Sequence, residues 1–398
     1  MSLYKDLVKK VSISPEKKVK QKEYIPQGCL PIVDQGKSLV GGYSNDTSKE
    51  LLCKLPVIVF GDHTRAVKFI DFPFGPGADG IKVLEPKQGV LPKYLYYATQ
   101  YLVLCLEDKG YARHYQHIEK KEIEIPEIDE QKRIVAKIEE LLSQLDDGVG
   151  TLNKTKEQLK VYRQAILKKA FEGEFTKLKH EKMSVDIEGC SKEEIKNLQE
   201  IPSAWKYVHL NKLGDLGRGK SKHRPRNDAR LFEDGKYPFL QTSEVKNADK
   251  YITEYSKMYG EFGLAQSKLW PKGTLCITIA ANIAETAFLG IDACFPDSVV
   301  GFTSNENTNP FYIKYFIESQ KLRLWAFAPA TAQKNINLDT LENLVVPYCS
   351  REEQDEVVKE IESRMSVCDD IDKTIDLSLQ QAEALRQSIL KKAFEGRI

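Results

Sequence analysis

The sequence predicts an α+β chain: two mixed α/β globular domains, each followed by a long helix, repeated in tandem with pseudo-twofold symmetry. Three observations predict it. The octapeptide ILKKAFEG occurs at 166–173 and again at 389–396, an offset of 223 residues. Sliding the chain by that offset aligns Glu130 and Gln131 with Glu353 and Gln354 without a gap, and 20 of the 44 aligned positions are identical, far beyond chance for unrelated segments. Each copy carries apolar residues every seven positions, and each follows a domain-sized stretch rich in strand-forming residues.

A lysine-rich leader covers 1–22. The first domain is strand-rich by residue choice: LPVIVFGDHTRAVKFIDF (55–72) has β-branched runs broken at Gly61-Asp62, and turn signals follow at Gly75-Pro76-Gly77 and Asp79-Gly80. A helix over 91–107 closes it. The first long helix then repeats Ile138, Leu145, Leu152, Leu159 and Ile166 every seventh position, with Ile134, Leu141 and Tyr162 between. Such heptads keep one apolar seam facing a partner helix, and at 1.5 Å per residue each helix spans roughly 65 Å. Gly148 and Gly150 predict a kink or interruption, since glycine costs about 1 kcal/mol in a helix interior.

A linker rich in charge, Ser and Gly covers about 174–200. In the second domain 273–282 and 285–295 read as strands and 309–327 as a helix. The second long helix repeats Ile361, Cys368, Ile375, Ala382 and Ile389, with Val357, Ile371 and Leu385 between. Thr155, Lys169, Arg364, Ser378 and Lys392 weaken the two seams, so the helices can pair with each other or with other chains. The division is therefore an N-terminal domain (1–125), a central helix (126–175), a linker and second domain (176–345) and a C-terminal helix (346–398).

Composition bounds the chemistry. At 398 residues the chain exceeds one compact core. Lys+Arg 59 against Asp+Glu 58 gives a net charge of +1, so no global basic field exists and any nucleic-acid role rests on local patches. No apolar run approaches the ~20 residues of a membrane span. Met1 to Val11 alternates lysines with short apolar stretches, unlike a signal peptide, and a cytoplasmic location is expected. The 8 cysteines are scattered, which reads as reduced thiols rather than a zinc site. His114 and His117 lack further ligands nearby, and no metal is expected.

Phosphate-loop spacings occur without their context. GxxxxGK[ST] is matched at 214–221, where Gly217-Arg218-Gly219 lies, and GxGxxG at 75–80, but neither leads from a strand into a helical pattern, as a nucleotide-binding loop must. Asn309-Pro310-Phe311 reads as a helix start with proline in the first turn. Asp62 and His63 are adjacent on a strand end, where neighbours point to opposite faces, so a turn is expected there rather than an acid–base pair. The sequence argues for a binder rather than a catalyst.

The strongest binding signal is Arg218-Gly-Lys220-Ser-Lys222-His-Arg224-Pro-Arg226-Asn-Asp-Ala-Arg230, with six cations against Asp228 and loop-forming Gly and Pro. Neutralising phosphates with Lys and Arg is the main affinity term for DNA, and a solvated surface loop is the alternative. Weaker candidates are Lys37, Arg65, Lys68, Arg113 and His114 in the first domain. The turn at Gln333, Lys334 and Asn335 adds amides able to read adenine, or simply supports the helix junction.

The layout resembles the specificity subunit of Type I restriction–modification systems. The likeness is carried by the helix starts IPEIDEQKRIVAKIEELL and VPYCSREEQDEVVKEIE, by the ILKKAFEG endings, by IPSAWKYVHLNKLGDL at 201–216 and by FGDHTRAVKFIDF at 60–72. It covers nearly the whole chain. Two extra residues at the second helix start depart from the first. The resemblance implies two target recognition domains, each reading one half of a bipartite double-stranded DNA site. It implies helices paired as an antiparallel coiled coil that sets the gap and docks two modification (methyltransferase) subunits. S-adenosylmethionine, Mg and ATP would sit on those and on restriction subunits, and this chain would bind none. Two other readings stay open: a coiled-coil scaffold whose domains bind proteins without DNA sequence preference, and an enzyme with a hidden centre.

Overall fold

The computed structural model describes residues 1–77, 80–107, 113–176, 182–183, 198–280, 282–327 and 335–397. The chain divides into two compact units, 1–155 with 374–398 and 156–373. The division cuts through both long helices, so each unit holds one globular domain, the start of one long helix and the end of the other. Most of the linker expected at 174–200 lies outside the described residues.

In the first unit, Val8–Val11, Ile81–Pro86, Val57–Gly61 and Val67–Ile70 form a four-stranded antiparallel sheet in that order. The leader thus supplies an edge strand of the domain: Val8 and Val11, paired with Pro86 and Val83, point to opposite faces and join the two clusters that cover the sheet. The central strand is buried throughout because both faces are covered. Ile58 and Phe60 face the helix Pro92–Leu104, and Val57 and Val59 face a second cluster with Val33, Ile70 and Phe74, the two-residue period of a strand. A smaller sheet joins Gly42–Ser44, Leu30–Val33 and Gly75–Pro76.

The second unit has a five-stranded sheet in the order Gly214–Arg218, Val299–Ser304, Leu275–Thr278, Thr286–Leu289, Tyr251–Ile252, and a four-stranded sheet in the order Lys257–Tyr259, Tyr237–Phe239, Ala293–Cys294, Leu269–Trp270. The helix expected over 309–327 breaks at Gln320 into Pro310–Ser319 and Lys321–Phe327. Asn309 starts it as expected, its side-chain oxygen accepting from the amides of Phe311 (2.8 Å) and Tyr312 (3.4 Å), a cap that satisfies helix-end donors.

The long helices run Ile128–Phe171 and Arg351–Phe394, 44 residues each. The first is continuous through Gly148 and Gly150, contrary to the expected interruption. Both glycines face open space, so nothing pushes between turns there. In the first unit Ile134, Ile138 and Leu142 share a cluster with Ile389, Leu390 and Ala393, while Asp146 pairs with Arg386, so the helices are antiparallel. In the second unit Arg163 bridges to Asp369 (2.8 Å) and Asp372 (2.9 Å). Tyr162, Ile371 and Leu385, expected between the seam positions, are exposed at 49%, 39% and 50%. A 3.6-residue turn drifts against a seven-residue repeat, and here the globular domain claims part of each helix's apolar face.

The same bracket ties each domain to its helix. Gln131, fully buried, accepts from the amide of Leu91 (2.8 Å) and donates to the carbonyls of Gly89 and Pro126 (both 2.8 Å). Gln354, also fully buried, accepts from the amide of Asn309 (2.8 Å) and donates to the carbonyls of Asn307 (3.3 Å) and Cys349 (2.9 Å). Both glutamines thus satisfy buried backbone groups at a domain-helix start.

Candidate nucleic-acid interface

The basic run of the second domain leaves the strand Gly214–Arg218 and crosses the sheet edge. Gly219 is forced by close approach: a Cβ there would lie 2.3 Å from the carbonyl oxygen of Pro296. The loop is then stitched down by its backbone. The amides of Gly219, Lys220 and Lys222 donate to the carbonyls of Val299 (2.9 Å), Phe295 (3.1 Å) and Gln266 (3.1 Å). These bonds leave the side chains of Lys220 and Lys222 exposed, with no ion-pair partner among the described residues.

The arginines are less free than the sequence suggests. Arg218 donates from Nε to the carbonyl of Asp297. Arg224 donates from Nη1 to the carbonyls of Ser221 (2.5 Å) and His223 (2.8 Å), which fixes the guanidinium while keeping its charge. Arg226 donates from Nη2 to both carboxylate oxygens of Asp297, at 2.8 and 3.1 Å. Arg230 and His223 share Asp228 at 2.7 and 2.8 Å. The Arg230 guanidinium first, and the His223 ring next, hold the Asp228 carboxyl well below the usual carboxylate range.

Beside the loop lies a cleft of about 350 Å³ lined by Arg226, Asn227, Gln241, Thr242, Lys257 and Ser298, among others. Its amides and cations, set beside Phe239, Tyr259 and Pro296, are donor and acceptor types that meet base edges and phosphates. None of Gln241, Lys257, Asp297 or Ser298 was legible as a site residue. They come from segments outside the basic run, and no local pattern marks them.

Gln333 and Lys334 lie outside the described residues. Asn335 is exposed, its backbone bridges Ala280, and the next amide, that of Ile336, donates to Ile279 (3.0 Å). The amide of Ile279 in turn donates to the carbonyl of Ser298 (3.0 Å), so the backbone at Ile336 is linked through Ile279 to a residue that lines the cleft.

In the first domain the candidates gather at one end of the sheet but divide by burial. Lys37 and Arg113 are exposed. Arg65, at φ 61° in the turn after Gly61, donates from Nε to Nε2 of His114 (3.3 Å). Lys68 and His114, by contrast, are buried, 4% and 1% exposed. Lys68 spends its ammonium on the carbonyl (2.7 Å) and carboxylate (3.6 Å) of Asp34, and burial lowers its pKa against the pull of that partner. A buried cation paired in this way supports a loop rather than a ligand. Asp62 behaves as a turn residue, its carboxylate accepting from the amide of Tyr115 (2.9 Å) and pairing with Lys82 (3.6 Å).

No group of His, Cys, Asp and Glu able to hold a metal occurs among the described residues, and none of their helices is long and apolar enough to cross a membrane.

Comparison with known proteins gives a consistent picture. The profile of the Type I restriction modification DNA specificity domain matches residues 4–161 and 202–381. The chain is similar to the EcoR124I/EcoR124II specificity subunit of Escherichia coli, 23% identical over 395 residues, 92% of this chain and 88% of that protein. It is also similar to the E. coli EcoBI specificity subunit, 27% identical over 283 residues, 69% of this chain and 58% of that protein. The match thus spans less than two thirds of the EcoBI subunit. Among solved structures, a chain of a type I R-M system described for its complex assembly superposes with TM-score 0.70 at 15% identity, covering 100% of this chain and 97% of that one. The HsdS subunit of Thermoanaerobacter tengcongensis superposes with TM-score 0.56 at 16% identity, covering 100% of this chain and 96% of that one. These likenesses bear on the fold. With the profile matched once in each half, the chain belongs to the Type I restriction modification DNA specificity domain family.

Proposed function

We propose that this protein is the non-catalytic, sequence-specific DNA-binding subunit of a Type I restriction–modification complex. The domains at 1–125 and 176–345 each read one half of a bipartite duplex site. The antiparallel helices at 126–175 and 346–398 hold the gap between the halves and dock two methyltransferase subunits, with restriction subunits as further partners. S-adenosylmethionine, Mg and ATP belong to those partners, and the complex works in the cytoplasm.

The observation that carries this reading is the duplicated bracket: Gln131 and Gln354 clamp a different reader onto an equivalent helix start. A rigid helical frame with two readers suits two half-sites at fixed phase on the duplex. In the second domain we assign Lys220, Lys222 and Arg224 to phosphate contacts, with Arg218 and Asn335 at the edge. In the first domain we assign Lys37, Arg65 and Arg113, with Lys68 and His114 as supports.

The test is a methylation map of host DNA with and without this chain, supplied with its methyltransferase. A split motif of two defined halves around a fixed gap, present only with the chain, is the expected result. Exchanging residues 201–345 should then change one half alone. A map that does not depend on the chain overturns the reading.

A further inference from the structure

Arg226 differs from the other cations of its loop. Its Nη2 is bound to both oxygens of Asp297, while its side chain remains 52% exposed at the cleft. That pairing occupies Nη2 and no other nitrogen of the fork among the described residues; each terminal nitrogen carries two hydrogens, so Nη1 and the second hydrogen of Nη2 keep one parallel edge for a ligand. Asp297 is itself held in place: its carbonyl accepts from Arg218, and the residues around it are bonded to Gly219, Lys220 and Ile279.

The pair is close to neutral, so Arg226 adds little to the attraction for phosphates, which depends on net cationic charge. What it offers is orientation. An arginine fork presents parallel N–H donors in a fixed plane, and fixing that plane in advance lowers the entropy lost on binding. Guanine alone shows two adjacent acceptors, O6 and N7, in the major groove. Adenine shows one beside a donor, and thymine shows one. Lys220 and Lys222, flexible point charges, cannot make that distinction.

We propose that Arg226 is a specificity-determining residue that reads a guanine in the half-site of the second domain, with Asp297 as the positioning residue that fixes its guanidinium. This rests on the DNA-reading function proposed above.

The test uses the full chain assembled with its methyltransferase and the duplex found in the methylation map. In the half assigned to 201–345, each G·C pair is replaced in turn by A·T, and binding is measured by competition at several salt concentrations. The wild-type complex should lose about ten- to a hundredfold in affinity at one guanine. Arg226→Lys should bring that position near parity and leave discrimination elsewhere intact, whereas Lys220→Ala should weaken all duplexes alike. Asp297→Asn should cut discrimination at the same guanine several-fold while steepening the salt dependence by about one phosphate contact, a combination that a mere loop staple does not give. A half-site without a G·C pair, or an Arg226→Lys variant that loses affinity evenly, overturns the assignment. If the wild-type complex prefers no duplex at all, the DNA-reading function itself falls.

Discussion

The ring of Phe394 sits 5.3 Å from that of Tyr94, the last turn of the second long helix against the helix of the first domain. In the other unit Phe171, the equivalent residue of the first ILKKAFEG, lies 5.0 Å from Tyr312. Tyr94 and Tyr312 in turn donate to the carbonyls of Glu124 (2.9 Å) and Pro347 (2.7 Å), which occupy equivalent positions before the two helices. The repeated octapeptide therefore closes each unit from the far end of the other repeat's helix. Its identity between copies follows from serving the same socket twice.

That exchange predicts a stability effect. Phe171 is 4% exposed and packs edge-on against both Tyr312 and Phe316. Phe171→Ala should cost about 3–5 kcal/mol, the range for truncating a buried aromatic, read as a shift in the denaturant midpoint. Phe394→Ala should cost less, because that ring is half-buried.

The glutamine brackets predict a second effect. Gln354→Ala leaves the amide of Asn309 and the carbonyl of Cys349 buried without their partner. Each orphaned group costs about 1–3 kcal/mol, so thermal unfolding should drop markedly. Gln354→Glu should also destabilise, since a carboxylate cannot donate to the two carbonyls.

The reciprocal ion pairs should matter little. Asp146 with Arg386 and Asp369 with Arg163 stand at equivalent positions of the repeat. Asp146 and Asp369 are 59% and 57% exposed, and exposed pairs contribute about 0–1 kcal/mol. Asp146→Asn should leave the melting temperature almost unchanged.

The basic loop predicts a salt signature. Replacing both Lys220 and Lys222 by alanine should lower the slope of log affinity against log salt by about two, near 0.9 for each lost phosphate contact, with the preferred motif unchanged. An unchanged slope removes the two lysines from the interface.

Asp228 predicts a pH dependence. Its folded value lies below the unfolded value of about 3.9, so its contribution is fully present above that pH and fades as pH falls through the folded value. Wild type and Asp228→Asn should differ in denaturant midpoint near pH 7. The difference should shrink as the pH is lowered below about 4.

The sequence by itself determined the architecture: the duplication, the two long helices and the strand-then-helix order of each domain. Those features rest on local periodicity and on self-similarity, both readable along one strand of text. It also marked the loop at 218–230, because like charges with Gly and Pro are a contiguous signal. Tertiary structure decided what each residue of that loop is for. Asp297, 71 residues beyond Arg226, turns a surface cation into an oriented donor, and Asp34 draws Lys68 out of solvent. It likewise decided that the leader is an edge strand and that Tyr162 and Leu385 point outward. The physical reason is that charge pairing, burial and seam position are properties of neighbours in space, and their partners arrive from distant segments only when the chain has folded.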